Sequence, residues 1–219
     1  MQLRPVAAML AVCINSRGKT MDSITLRILR DEHFSLTAVL RSLRMMPHRG
    51  PGEDAPQYFD AMRAMLFYID EVPEKEHHPK ESQLLFQPML QRMPELAQTL
   101  QRLEGEHAGG EKAVGDLQYL LLAWELMGDD RREAFAGALG QYIDFYLEHM
   151  SLEETVIFPA AQKAFTPGDW AAIDGACAPN RDPPAPGAAP DPACERLFSR
   201  IVRSTPSPIG LGMVGVAQV

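Results

Sequence analysis

Two stretches of this chain share one spacing, HHPKESQLLF at residues 77–86 and HMSLEETVIF at residues 149–158. Each begins with a histidine, carries a glutamate four residues later and ends in a pair of apolar residues. Because one helical turn separates positions i and i+4, the histidine and the glutamate of each stretch point the same way. A lone histidine precedes each stretch, His33 by 44 residues and His107 by 42. This repeat predicts two helical hairpins that direct four histidines and two carboxylates to one place.

Apolar residues follow helical spacing from about residue 22 to residue 163. The first three stripes are Leu29, His33, Leu36, Leu40 and Leu43; Met62, Leu66, Ile69, His77, Glu81 and Leu84; and Leu96, Leu100, Leu103, His107, Val114, Leu117, Leu121 and Trp124. The fourth is Tyr142, Phe145, His149, Glu153, Val156 and Ala160. Four such helices, short loops and no β-rich segment predict an all-α fold, an up-down-up-down four-helix bundle over residues 22–166.

Prolines and glycines mark the expected helix ends and bends. Residues 47–56, which include Gly50-Pro51-Gly52, are expected to form a loop between the first two helices. Pro73 and Pro79 fall inside the second helical stretch, where each removes a backbone donor and clashes with the preceding turn. Residues 56–92 are therefore expected to be one bent helix or two abutting helices.

The two ends of the chain differ in composition from the bundle. Residues 1–21 are expected to be a disordered leader, or an upstream extension with Met21 as the working start. Residues 167–219 are expected to be a Pro-rich C-terminal extension: a linker, a short amphipathic helix from Cys194 to Arg203 and an apolar tail. The tail is a candidate contact for a homodimer.

Charge and cysteine content narrow the class of protein. The net charge of −8 argues against a nucleic-acid partner. No apolar run is long enough to span a bilayer, so no membrane partner is expected. Cys13, Cys177 and Cys194 form neither a disulfide framework nor a metal spacing, and a cytoplasmic location fits best.

The helical stripes favour metal binding over an apolar core with satisfied histidines. A single histidine on an apolar face is usually bonded to a backbone group or a water, and His33 or His107 alone would be read in that way. However, polar residues interrupt the stripe in every helix, and Glu81 and Glu153 have no lysine or arginine on their faces to offset their charge. Divalent cations would supply that charge, and imidazole with carboxylate suits iron, manganese or zinc.

A ferritin-like site is the competing interpretation of two metals among four helices. Its signature is Glu-x-x-His on two helices and a glutamate on each of the others. Glu74-x-x-His77 and Glu104-x-x-His107 match the short motif. His33 stands where a glutamate is needed, and the fourth helix carries His149-x-x-x-Glu153 instead, so this signature does not fit.

The set His33, His77-x-x-x-Glu81, His107 and His149-x-x-x-Glu153 resembles the hemerythrin-like (HHE cation-binding) family over about residues 22–165. The resemblance implies a non-haem di-iron centre with an oxo or carboxylate bridge, and with manganese or zinc as substitutes. It makes Glu81 and Glu153 the bridging carboxylates. The four histidines would be terminal ligands.

The chain departs from the oxygen-carrying members of that family, which have a His-x-x-x-His pair on the third helix. Leu103 and Glu111 occupy the positions four before and four after His107. Either His78 or Glu111 could fill the vacancy, and His78 is favoured because it binds metal without adding negative charge. His48 is expected to be solvated.

These features lead to three hypotheses for function. The favoured one is a binding or sensing protein whose di-iron centre takes a small diatomic ligand, O₂ or NO, or responds to iron or redox state. The second is a di-iron enzyme acting on peroxide or NO, or an iron-donating stress-repair protein. The third is a scaffold that binds only adventitious metal.

Overall fold

The protein is an all-α bundle in the computed structural model, which describes residues 23–177, 196–197 and 199–201. The bundle helices are α1 (Ile24–Arg49), α2 (residues 55–92), α3 (Ala97–Met127) and α4 (residues 132–164), and α5 (Pro167–Cys177) follows them. Single 3₁₀ turns at Pro94–Leu96 and Asp129–Arg131 lead into α3 and α4. The short connections make successive helices antiparallel, which confirms the predicted fold class.

The loop expected at residues 47–56 is wrong at its first end, because α1 continues through Pro47 to Arg49. The last turn of α1 is anchored from outside the helix. Tyr58 donates its hydroxyl to the Met46 carbonyl at 2.6 Å, and Arg132 donates to the Pro47 carbonyl at 2.5 Å. The chain then turns through Gly50 at φ 72°, a left-handed value that glycine adopts without strain.

Helix α2 is one continuous helical run with two wide π turns, at Asp70–His77 and Glu81–Phe86. A third π turn, Glu153–Ile157, lies in α4. Each π turn ends two residues before a proline, namely Pro79, Pro88 and Pro159. A proline cannot donate to the carbonyl four residues back and clashes with it. The extra residue in the preceding turn relieves that clash, so the helix accommodates these prolines without ending.

The π turns change which side chains face the core. Val156, expected on the buried stripe of α4, is 37% exposed, and its neighbour Ile157 is fully buried. Leu84 of α2 is only half-buried, while Leu85 and Phe86 are buried. A turn with one extra residue shifts the following side chains around the helix axis. Strict α-helical spacing therefore assigned the wrong residue in both stretches.

Helix α5 lies in the segment that sequence analysis assigned to the C-terminal extension, but it packs back on the bundle. Its Asp174 carboxylate accepts hydrogen bonds from the backbone of Ile24 and Thr25 at 3.1 and 2.9 Å, and from the Ser23 and Thr25 hydroxyls. These groups form the first turn of α1. Since the first N–H groups of a helix have no partner within it, Asp174 completes the capping of α1.

The apolar core consists of two clusters, one on each side of a polar layer. The larger contains Leu40, Met62, Leu117 and Trp124 among others, and the smaller contains Leu29, Phe86, Leu100 and Phe158 among others. The histidines and glutamates singled out by their spacing lie in the layer between them.

Some sequence predictions concern residues outside the described ones. The leader with its alternative start Met21, the linker at residues 180–192 and the apolar tail at residues 209–219 belong to that group, as do Cys13 and Cys194. Residues 196–197 and 199–201 are helical; Ile201 is buried in the larger cluster and Leu197 packs against it. Within the described residues, no helix is both long and apolar enough to cross a bilayer.

Candidate metal centre

Six side chains from four helices converge in the polar layer. His33 comes from α1, His107 from α3, and the two His-x-x-x-Glu pairs come from α2 and α4. The Glu81 and Glu153 side chains are fully buried, and those of the four histidines are at most 7% exposed. The predicted convergence is therefore present in the structure.

The ligand-type atoms form two groups that share the two carboxylates. One is His33, His77, Glu81 and Glu153, and the other is Glu81, His107, His149 and Glu153. Within each group, one atom from every residue lies within 4.8 Å of the others. Glu81 turns Oε1 toward His77 (3.3 Å) and Oε2 toward His107 (3.6 Å).

Glu153 repeats this arrangement from the opposite helix. Its Oε2 lies 3.4 Å from His33 Nε2, and its Oε1 lies 3.1 Å from His149 Nε2. Each carboxylate therefore presents one oxygen to each pair of histidines.

The donor set fits a metal better than it fits an apolar core. All four carboxylate oxygens of Glu81 and Glu153 are buried and lack a hydrogen-bond partner among the described residues. Their nearest ring nitrogens approach at distances of 3.1–3.8 Å, but without hydrogen-bond geometry. A buried charge without partners costs several kcal/mol, by a rough estimate, unless a counter-charge is supplied. Divalent cations among these oxygens and nitrogens would remove that cost.

The outer nitrogens of the histidines are held by a second set of side chains. His77 Nδ1 contacts Glu32 at 2.7 Å, and His149 Nδ1 contacts Glu106 at 2.7 Å. A carboxylate on Nδ1 keeps the proton there and leaves Nε2 free to bind metal. Once Nε2 loses its proton, this contact keeps the remaining proton on Nδ1, which is the tautomer that coordination through Nε2 requires.

The other two histidines differ in their outer contacts. His33 Nδ1 lies 3.0 Å from the Glu154 carboxylate, whereas His107 Nδ1 lies 3.3 Å from the Ser82 hydroxyl. Ser82 donates in turn to Glu104 at 2.9 Å. The sequence patterns gave no signal for these outer residues, although four of them adjoin candidate ligands in the chain: Glu32, Ser82, Glu106 and Glu154.

Electrostatics in the layer favour charged imidazoles when no metal is bound. Burial alone lowers the pKa of His77, but the Glu81 and Glu32 carboxylates outweigh it and raise that pKa to about 10. Burial likewise opposes the charge on His149, and Glu153 and Glu106 raise its pKa to about 9. Metal binding must displace such protons, because only an unprotonated nitrogen can be a ligand.

The structure distinguishes the two candidates for the additional ligand. His78 is buried and groups with His107 and His149, and its ring stacks on His107 with centroids 3.9 Å apart. Burial and its imidazole neighbours, His107 first among them, lower the pKa of His78 to about 2, so it stays neutral. Glu111 lies on the exposed face of α3, and His48 is also exposed, in the last turn of α1.

A small cavity of about 10 Å³ lies beside the His33 and His77 pair. Its other lining residues are Glu32, Leu36, Val72 and Pro73. Its volume is that of a single water molecule. The first π turn, Asp70–His77, contributes Val72 and Pro73, so the widened helix shapes this cavity.

Comparison with protein families agrees with this geometry. A model described as the hemerythrin HHE cation-binding domain matches residues 25–161. The chain belongs to the hemerythrin HHE cation-binding family. The match covers all four bundle helices that carry the polar layer, which makes this a metal-binding helical domain with clustered His and Glu residues. Among curated proteins, no match to the chain was found.

Proposed function

We propose that this hemerythrin domain holds two iron ions bridged by Glu81 and Glu153. His33 and His77 would serve one ion, and His78, His107 and His149 the other. The observation that carries the proposal is the pair of buried carboxylates whose oxygens lack partners and face different histidines. Manganese or zinc could occupy the same nitrogen and oxygen donors. Iron is proposed because it is the metal that the resemblance to the family implies.

We infer further that the ion at His33 and His77 has the open position. It would have two histidines against three at the other ion, and the small cavity adjoins its two histidines. Leu36, Val72 and Pro73 make the cavity wall largely apolar, which favours an uncharged diatomic molecule over an anion. When bound, reduced iron supplies the electrons that O₂ or NO needs for binding. The protein would accordingly bind or sense O₂ or NO.

Metal content is the first test of this proposal. Protein purified and reconstituted with ferrous iron should hold about two ions per chain. His107→Ala should lower that number, and His48→Ala, which changes an exposed histidine, should not. A content below about one ion per chain that His107→Ala leaves unchanged would indicate adventitious binding and contradict the proposal.

Gas binding is the second test. The anaerobically reduced protein should develop a new charge-transfer absorption band on exposure to O₂ or NO. Val72→Ile, which adds one methylene group at the cavity wall, should suppress the band while the iron content stays at about two. The absence of a new band with either gas would overturn the ligand-binding proposal, and sustained consumption of NO or peroxide would indicate an enzyme instead.

A further inference from the structure

The side of the polar layer next to His78 contains a buried carboxylate that the proposed di-iron centre does not use. Glu74 precedes His78 by one turn on α2, and its side chain is only 3% exposed. Its Oε2 lies 3.2 Å from His78 Nδ1. A carboxylate this deeply buried requires a structural or chemical reason.

Two residues from other helices hold Glu74 in place. Tyr146 of α4 donates its hydroxyl to Glu74 Oε1. Gly110 of α3 provides the space, because a Cβ at that position would lie 2.4 Å from both carboxylate oxygens. The neighbouring Gly109 is different, since a Cβ there would have no atom within 4 Å.

The contact between Glu74 and His78 repeats a pattern found elsewhere in the layer. Glu32, Glu106 and Glu154 each contact Nδ1 of an inward-facing histidine. The same atom of His78 faces Glu74, although the angle at this contact falls outside hydrogen-bond geometry and leaves Nδ1 otherwise without a partner. With the proton on Nδ1, Nε2 receives no hydrogen bond from Tyr146 among the described residues, because Tyr146 Oη, 3.3 Å away, gives its proton to Glu74.

We propose that Glu74 is the positioning residue of His78, and that Tyr146 and Gly110 act through it. Glu74 keeps the proton of His78 on Nδ1 and leaves Nε2 as the metal-binding atom. This inference rests on the proposed di-iron function for its effect on metal. The effect of Glu74 on the tautomer of His78 is present in the metal-free protein and does not depend on the di-iron proposal.

The metal-free protein gives the first test, by ¹⁵N NMR of the histidine rings. His78 should carry its proton on Nδ1 in the unsubstituted chain. In Glu74→Gln the amide oxygen accepts from Tyr146, so the amide NH₂ group faces Nδ1 and the proton should move to Nε2. A His78 tautomer that is the same in both proteins would overturn the proposal.

Ferrous iron titration gives the second test, with two matched pairs of variants. Glu74→Gln and Gly110→Ala should each lower the affinity for one of the two ions by about 10–100-fold, the usual effect of losing a partner of a metal-bound histidine, and leave the other ion unaffected. Gly109→Ala is the control for Gly110→Ala. Tyr146→Phe should weaken binding of the same ion, whereas Tyr119→Phe, at a position of α3 that is 72% exposed, should change nothing.

The outcomes separate this proposal from the di-iron proposal. If the unsubstituted chain binds fewer than two ions, the di-iron proposal fails and the tautomer measurement still decides the role of Glu74. If the chain binds two ions and both Glu74→Gln and Gly110→Ala bind them with unchanged affinity, the positioning role is wrong and the di-iron proposal stands. Thermal unfolding of each variant identifies any loss that results from misfolding.

Discussion

The two halves of the polar layer are built from the same sequence pattern but have different surroundings. In the first half, His33 and His77 adjoin a small cavity, and a carboxylate supports each of their outer nitrogens. In the second half, His107 and His149 have the His78 ring against them, and a hydroxyl supports His107. The repeat therefore determines where ions can bind, and the residues beside the repeat make the two positions unequal.

This difference comes from two substitutions within the repeat. Position 78 is a histidine where the second stretch has Met150, and position 82 is a serine where the second stretch has Glu154. The first substitution adds a nitrogen donor to one half. The second gives His33 an outer carboxylate, that of Glu154, whereas the corresponding contact of His107 is the Ser82 hydroxyl. Hydrogen bonds to charged groups are roughly twice as strong as those between neutral groups.

The largest expected effect comes from the two residues that both halves share. Glu81→Ala and Glu153→Ala should each reduce the metal content from about two ions per chain to less than one, because each carboxylate faces both pairs of histidines. Elemental analysis after iron reconstitution measures this. Glu148→Ala, at an exposed position of α4, is the control. If one of the two variants retained a full ion while the other lost both, the carboxylates would not be equivalent bridges.

The widened turn at the end of the second stretch gives the next prediction. Ile157→Ala should lower the free energy of unfolding by about 2–5 kcal/mol, because it leaves a hole in the smaller core cluster. Val156→Ala, at the neighbouring half-exposed position, should cost less than about 1 kcal/mol. Chemical denaturation measures both. The reverse order would mean that α4 keeps regular α-helical spacing through residues 153–157.

The outer contacts test the inequality of the halves directly. Glu154→Ala should lower the affinity for the ion at His33 and His77 by about 10–100-fold, the usual effect of removing such a partner. Ser82→Ala should lower the affinity for the other ion by less. The contact of Ser82 with His107, at 3.3 Å, is longer than that of Glu154 with His33, at 3.0 Å, and it involves no charged carboxylate. Competition with a chelator measures the affinities. Equal losses in the two variants would show that these contacts do not distinguish the halves.

The smallest expected effect is on stability and concerns the N-terminal caps of α1 and α3, the helices that carry His33 and His107. Helix α1 is capped by Ser23 and Asp174, whereas Leu96, the N-cap residue of α3, makes no side-chain cap. Asp174→Asn should therefore cost about 1 kcal/mol at neutral pH, typical of a lost cap.

The pH dependence of this effect has a definite sign. Burial raises the pKa of Asp174, but hydrogen bonds from Ser23 and Thr25 outweigh it and hold the pKa below the usual 3.8. Stability from Asp174 is thus present above pH 3.8 and is lost as the pH falls through the lower, folded-state pKa. Thermal unfolding of both proteins should show a gap at pH 7 that closes in acid. A gap that persisted in acid would contradict a charge-based cap.

The helical fold and the convergence of the six spaced residues could be predicted because they depend on periodicity alone. His33 and Leu40 share a stripe with the rest of the α1 core, and the i, i+4 spacing brings His77 and Glu81 to one face. His78 was favoured over Glu111 for its charge, and the structure buries the former and exposes the latter. For the helix faces one local rule was sufficient, whereas the choice of His78 as the additional ligand stays a prediction.

The details that failed depend on contacts between distant parts of the chain. Pro47 suggested a loop, but Tyr58 and Arg132 hold its turn in the helix. Pro73 and Pro79 suggested a bend or a break in α2, but the helix continues through both with wide turns, and the wide turn of α4 moves Ile157 into the core. The outer carboxylates are ordinary surface residues in sequence, and the packing of α1 against α2 and α4, and of α3 against α4, brings them to the imidazoles.

The division of the core into two clusters has a consequence for cooperativity. Apolar packing alone does not join the clusters across a layer of imidazoles and carboxylates, so in the metal-free chain the two ends of the bundle can open as separate units. Ions held by all four helices would link those units, since an ion that binds only the intact layer adds its binding free energy to the folded state. Hydrogen exchange should then show two protection levels without metal and a single, higher level with it.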